Sequence, residues 1–289
     1  MRQEIIRLYD EYTHERLDRR IFMDRLAKMA GGTAAAAALV PVLKANYARA
    51  AIVPADDPRL QTERVTFQGA TGEVQGYLAR PADASGALPG VVVIHENRGL
   101  NPHIEDVARR MALEGFVALA PDFLSPQGGT PQDEDQAREM IGQLDQQQTI
   151  QNALAAVDFL ESHEATTDRV GVIGFCWGGA LANQVAVNSA NVDAVVPFYG
   201  RQPASSEVSR IQAPLLLHYA GLDDRINAGI PEYEQALKDA GVDYTIHMYE
   251  GVNHAFHNDT SEARYDKEAA ELAWSRTIDF LKQHLADQA

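Results

Sequence analysis

Val170-Gly-Val-Ile-Gly174-Phe-Cys176-Trp-Gly178-Gly179-Ala-Leu181 decides how the rest of the chain is read. Val170 to Ile173 reads as a short buried strand, Gly174 to Gly178 as a sharp turn, and Gly179 to Val187 as a helix. Glycines flank a reactive side chain where a strained strand-to-helix turn brings backbones together, and there a residue without Cβ fits best. Cys176 falls at a helix N-terminus, where unpaired N–H groups and the helix dipole favour an anionic sulfur. It is the only cysteine in the chain. The plainer alternative, a free cysteine packed as a small hydrophobe, does not call for glycines on both sides of it.

Working outward, Glu63–Gln68 and Val74–Arg80 alternate like a two-stranded hairpin around Ala70-Thr71-Gly72. Val91-Val-Val-Ile94 is fully apolar and β-branched, as expected of a central parallel strand covered on both faces. Val117–Ala120, Asp193–Tyr199, Pro214–Ala220 and Tyr244–Tyr249 read as further strands. Helical patterns separate them over Ile104–Leu113, Asp135–Leu144, Thr149–Glu161 and Ile230–Ala240, and one long helix is predicted over Ser261–Ala286. This alternation predicts an α/β chain: a doubly wound, mainly parallel sheet with helices on both faces, forming one catalytic domain from residue 51 to 289. Gln127 to Glu134, polar and glycine-bearing, is expected to be a loop placed to act as a substrate-facing lid.

Ligands of open α/β sheets bind beyond the carboxyl ends of the strands, so reactive side chains just after strands are the candidates. Four qualify: Glu96, Cys176, Asp223 and His254. The order cysteine, acid, histidine suits a thiol that attacks a carbonyl, a histidine that moves the proton, and a carboxylate that fixes the histidine's tautomer. The backbone N–H groups of Trp177 and Asn97 are the expected oxyanion donors. Asp224 competes with Asp223 and reads as a surface or capping carboxylate, and His257 competes with His254. His95 and His218 read as satisfied core histidines. Glu96 is either a group of the site or half of an ion pair with Arg98 or Arg109. No metal is expected, because neither His254 nor His257 has further ligands at metal-binding spacing.

The formal net charge of −16 repels phosphate backbones and argues against nucleic acid as a partner. One cysteine excludes an intrachain disulfide, and no run of apolar residues is long enough for a membrane span. The first fifty residues differ in character. Arg19-Arg20-Ile-Phe-Met23, a small apolar run from Met29 to Leu43, and Ala48-Arg49-Ala50 resemble a twin-arginine export signal with its cleavage site, which predicts a periplasmic protein. Against this, the segment before the arginines is long and acidic, so the alternative is a retained amphipathic helix on a cytoplasmic protein, docking on the domain or joining two copies as a homodimer.

Val91-Val-Val-Ile-His-Glu96, Gly174-Phe-Cys-Trp-Gly-Gly179, Gly221-Leu-Asp223 and His254-Ala-Phe256 together resemble the dienelactone hydrolase family of the α/β-hydrolase superfamily, over about Val65 to the last helix. The resemblance implies a cofactor-free enzyme of the carboxymethylenebutenolidase type that opens a small lactone or cleaves a carboxylic ester through Cys176, His254 and Asp223. It also implies a role for Glu96, binding the Cys176 thiol in the resting enzyme. Two arginines that grip the substrate carboxylate in that family are replaced here by Ser125-Pro126 and by Asn258, leaving Arg98 and Arg201 as the candidate substitutes. Acyl transfer or thioester cleavage by the same residues, and a non-catalytic binding protein on the same fold, are the competing expectations.

Overall fold

The structure, a computed structural model, describes residues 1–14, 17–44 and 51–286. Three helices come first: α1 (Gln3–His14), α2 (Arg19–Ala30) and α3 (Thr33–Leu43). The α/β region then runs β1 (Leu60–Gly69), β2 (Gly72–Pro81), β3 (Leu88–Ile94), α4 (Pro102–Leu113), β4 (Val117–Pro121), α5 (Glu134–Ile141), α6 (Gln146–Glu161), β5 (Thr166–Phe175) and α7 (Trp177–Asn188). It closes with β6 (Ala194–Phe198), β7 (Leu215–Ala220), α8 (Asp224–Asn227), α9 (Ile230–Ala240), β8 (Tyr244–Tyr249) and α10 (Lys267–Leu285).

The strands form an eight-stranded sheet in the order β1-β2-β4-β3-β5-β6-β7-β8. β1 and β2 pair antiparallel, as do β2 and β4, and every other pairing is parallel. The apolar runs are explained by this arrangement. Along β3, Val91 and Val93 enter one core with α4 and α10, while Val92 and Ile94 enter the other with α6, α7 and α9. Side chains of a strand point alternately to opposite faces, so a strand covered on both sides must be apolar throughout. The doubly wound sheet expected from the βα alternation is therefore present, with right-handed crossovers as the physical rule for such units.

The last helix is shorter than its sequence pattern suggests. It starts at Lys267 because the Asp266 side chain accepts the Ala269 N–H as its N-cap, while residues 261–266 form turns. The segment Gln127–Glu134, expected as a loop, is one over residues 128–133, and Glu134 opens α5. Asp122 accepts hydrogen bonds from both the N–H and the hydroxyl of Thr130, each at 2.8 Å, and pins it down.

The N-terminal helices have an apolar cluster of their own, built from Ile5, Leu8, Tyr9 and Tyr12 of α1, Phe22 and Leu26 of α2, and Ala36 and Leu43 of α3. Arg19 and Arg20 form the first turn of α2, whose N-cap is Asp18. Gly31 and Gly32, at φ 84° and 147°, end α2 and turn α3 through 110°. No single described helix is long and apolar enough to cross a membrane. The proposed cleavage motif Ala48-Arg49-Ala50 lies outside the described residues.

Candidate active site

The elbow has the geometry its glycines require. Cys176 sits between β5 and α7 at φ 56°, ψ −112°, donates its N–H to the Phe198 carbonyl, and is buried. A Cβ on Gly178 would lie 2.4 Å from the His95 carbonyl oxygen, and one on Gly179 would lie 2.6 Å from that of Phe198. These approaches press the first turn of α7 against the ends of β3 and β6, and the Trp177 ring stacks on His95 with centroids 5.3 Å apart. Among the described residues, the non-glycine residues at positive φ are Cys176, Tyr199 and Ala255. All three border this site, where backbone strain of about 1–3 kcal/mol per residue is held by surrounding structure.

Asp223 and His254 arrive from the ends of β7 and β8. His254 Nδ1 donates to Asp223 Oδ2 at 2.5 Å, and Asp223 Oδ1 accepts the Ile226 N–H at 3.2 Å, fixing the carboxylate. A carboxylate cannot donate, so Nδ1 carries the proton and the buried Nε2, which has no hydrogen-bond partner, faces Cys176. Burial pulls the His254 pKa down, but the charges of Asp223 and Cys176 beside it outweigh this and carry it up to about 10. Burial likewise opposes the Asp223 carboxylate, yet His254 and Arg225 hold its pKa below the ordinary value. The choice between the two aspartates follows from exposure: Asp224 lies at the surface, 3.6 Å from Arg7.

His95 and His218 are core histidines with partners. His95 Nδ1 donates to the Glu96 carbonyl at 2.7 Å, and His218 binds Tyr249 and Thr277 at 2.9 and 3.1 Å. His257 is buried and stacks on Phe175.

Glu96 is where the structure departs furthest from expectation. Its Oε2 accepts a hydrogen bond from Asn258 Nδ2 at 2.6 Å, and its buried Oε1 has no partner. The proposed ion pair with Arg98 or Arg109 is not formed: Arg98 donates to Asn97 Oδ1 at 3.2 Å, and Arg109 binds the Val53 carbonyl, Tyr77 and Asp106. Nor does the Cys176 thiol bond to Glu96. It lies 3.2 Å from His14 Nε2, on the last turn of α1.

His14 was not visible as a site residue, being 162 positions from Cys176. Its Nδ1 lies 3.0 Å from the Asp10 carbonyl, which can only accept, so Nε2 presents its lone pair to the thiol. Burial, then the charges of His254, Arg225 and Arg264, push the His14 pKa well below the usual value, so the ring is neutral. α1 is anchored on both sides of it. Arg264 pairs with Asp10 at 3.2 Å and lies over the Tyr9 ring, Arg138 lies over the Tyr12 ring, and Asn97 Nδ2 donates to the Thr13 carbonyl at 2.9 Å. Arg264 and Arg138, like His14, carry no local motif by which they could have been found.

Cys176 and His254 open into a cleft of about 640 Å³. Its apolar wall includes Ile141, Leu144, Ile150 and Leu181, so α5, α6 and α7 form it rather than the expected lid; α1 adds Thr13 and His14, and Leu17 between α1 and α2 also borders it. Trp177, Asn97 and the exposed Arg201 face this cleft, whereas Arg98 lines a smaller recess with Glu96, Asn258 and Arg264.

A mainly parallel sheet, a cysteine elbow, and an acid and a histidine at the next strand ends define an α/β-hydrolase. The chain belongs to the dienelactone hydrolase family, whose model it matches over residues 74–285. It is 32% identical over 260 residues to a carboxymethylenebutenolidase-type protein of Saccharolobus solfataricus, covering 76% of this chain and 98% of that one. It is 54% identical over 112 residues to the hydrolase fragment YghX of Escherichia coli, covering 38% of this chain and 96% of the fragment. Among solved structures, it superposes on a dienelactone hydrolase-type protein of Klebsiella pneumoniae with a TM-score of 0.71 at 26% identity, covering 78% of this chain and 99% of that one. Residues 1–32, with α1 and His14, match a different family, YqhI-like.

Proposed function

We propose that the protein hydrolyses a small carboxylic ester or lactone through a thioester on Cys176. The observation that carries this is His254, held by Asp223 through Nδ1 and turned with a free Nε2 toward a thiol on a strained elbow. Cys176 Sγ attacks the carbonyl carbon with its proton held on His254 Nε2, and charge develops on the carbonyl oxygen against the N–H groups of Trp177 and Asn97. His254 then gives the proton to the leaving oxygen as its bond to carbon breaks. Water, activated by the same Nε2, adds to the thioester, and the thiolate leaves and is reprotonated.

The carboxylate-gripping arginines of the resembling lactone hydrolases are absent at their two positions, and Asn258 is committed to Glu96. Arg201, exposed at the cleft, remains the candidate anchor for an acidic substrate, while the aliphatic wall suits a neutral ester and keeps thioester cleavage as a second reading. Hydrolysis of p-nitrophenyl acetate is expected for the wild type and lost, by at least about 100-fold, in Cys176→Ala and His254→Ala. Equal activity in all three proteins would exclude the assignment, as would a non-catalytic binding protein's lack of turnover on any ester, lactone or thioester. Comparing neutral esters with carboxylate-bearing lactones assigns the substrate class. Export on Arg19-Arg20 with cleavage at Ala48-Arg49-Ala50 is a separate proposal, and it would remove α1 and His14 from the mature protein: a shortened periplasmic form supports it, and full-length cytoplasmic protein excludes it.

A further inference from the structure

His14 Nε2, Cys176 Sγ and His254 Nε2 all lie within 4.8 Å of one another. We propose that they form a binding site for a thiophilic divalent cation of the zinc type, and that the bound ion takes Cys176 out of use reversibly. The three ligands come from three separate elements: the last turn of α1, the elbow before α7, and the loop after β8. His14 lies outside the region matched to the hydrolase family and within the separate N-terminal match, so the site belongs to the combination of the two parts.

Each imidazole is prepared as a ligand. A metal-binding histidine needs its coordinating nitrogen unprotonated, and it usually donates its other N–H to a carboxylate or a carbonyl. His254 donates Nδ1–H to Asp223 and His14 donates Nδ1–H to the Asp10 carbonyl, so both Nε2 atoms are turned inward; His14 Nε2 offers its lone pair directly, and His254 Nε2 gives up its proton as the ion binds. His254 Nε2 is buried without a hydrogen-bond partner. Two nitrogens and one sulfur are a donor set that zinc takes readily. Zinc bonds of about 2.0–2.1 Å to nitrogen and about 2.3 Å to sulfur set tetrahedral edges at roughly 3.3–3.6 Å. The His14–Cys176 edge is already 3.2 Å, and the remaining edges close by inward movement on the order of 1 Å.

Charge is also compatible. The nearby guanidinium of Arg264 is paired with Asp10, and that of Arg225 lies 3.9 Å from Asp223, so each positive charge beside the ion has an acidic partner. As the sulfur–metal bond forms, the Cys176 thiol releases its proton to solvent. The fourth coordination position faces the cleft and is filled by water. With Sγ and His254 Nε2 both bonded to the ion, the thiol cannot attack and the histidine cannot accept a proton.

Cobalt is the probe, used on the full chain. One equivalent of Co²⁺ is expected to give a sulfur-to-cobalt charge-transfer absorption in the near ultraviolet together with the strong visible bands of a tetrahedral ion. Cys176→Ser should lose the charge-transfer absorption, and His14→Gln should weaken cobalt binding by at least about 100-fold. X-ray absorption of the Zn²⁺-loaded wild type, which needs no variant, should count one sulfur and two imidazoles. Zn²⁺ should also slow iodoacetamide alkylation of Cys176, with full recovery on chelation. A spectrum without charge transfer, a His14→Gln protein that binds like wild type, or a zinc shell without sulfur would overturn the proposal. These readouts need no turnover, so they hold whether or not the protein proves to be an esterase.

Discussion

Asn258 holds Glu96. Its amide donates to Oε2 at 2.6 Å, while its own carbonyl oxygen accepts from the N–H and hydroxyl of Thr260 at 3.1 and 2.5 Å. The residue that stands where a substrate-gripping arginine is expected is thus part of a buried internal network. Asn258→Leu should destabilise the fold by about 2–4 kcal/mol, because it removes a hydrogen bond to a buried carboxyl group and leaves Thr260 without its side-chain acceptor. A urea midpoint that falls with an unchanged slope is the expected result; an unmoved midpoint would count against the network.

The thiol's neighbour in the resting state is His14, and alkylation kinetics distinguish it from Glu96. A neutral acceptor at 3.2 Å stabilises the S–H form, so His14→Ala should speed iodoacetamide alkylation of Cys176 several-fold. Glu96→Gln, which keeps the length of the side chain facing Asn258, should change the rate less. If Glu96→Gln has the larger effect, the resting role returns to the glutamate.

The Asp223–His254 pair makes stability depend on pH in a defined window. The folded His254 pKa is raised to about 10, so its contribution is complete below the unfolded value of about 6.5 and is lost as pH rises through about 10. Asp223 is depressed, so its contribution is present above the unfolded value of about 3.9 and lost as pH falls through the folded one. Between pH 7 and 10 the wild type should lose a few kcal/mol that Asp223→Asn does not lose. Parallel stability curves for the two proteins across that range would refute the ion pair.

The elbow glycines can be tested by one added methyl group. Gly178→Ala places Cβ against two backbone carbonyls, those of Ile94 and His95, neither of which can rotate away. It should cost more than about 2 kcal/mol and displace Cys176 from its position over the cleft. Gly86→Ala, where nothing lies within 4 Å, should stay within about 0.5 kcal/mol of wild type.

What the sequence revealed depended on locality. Val91–Ile94 announced a doubly covered strand because four apolar β-branched residues in a row have few other folds. Cys176, Asp223 and His254 could be found because each follows its strand within a few residues, and chain order then limited their roles. The partners of Glu96 could not be found this way, since Asn258 is 162 residues away and its side chain was expected only as a missing arginine. The helix at Ser261 was started too early because apolar spacing says nothing about a cap, and Asp266 supplies it. His14 lay in a segment read for export or dimerisation, and no period or motif in α1 points to a site on another part of the chain.

Because α1 belongs to the same chain as the elbow, its imidazole meets Cys176 as an intramolecular partner, whatever the protein concentration. A thiol covered by a second molecule would be released on dilution; this one would not. Its reactivity should therefore be the same in a dilute assay and in a crowded compartment. Only a change that lifts α1 from Arg264, Arg138 and Asn97, or cuts the chain beyond α3, would turn the contact into a bimolecular one.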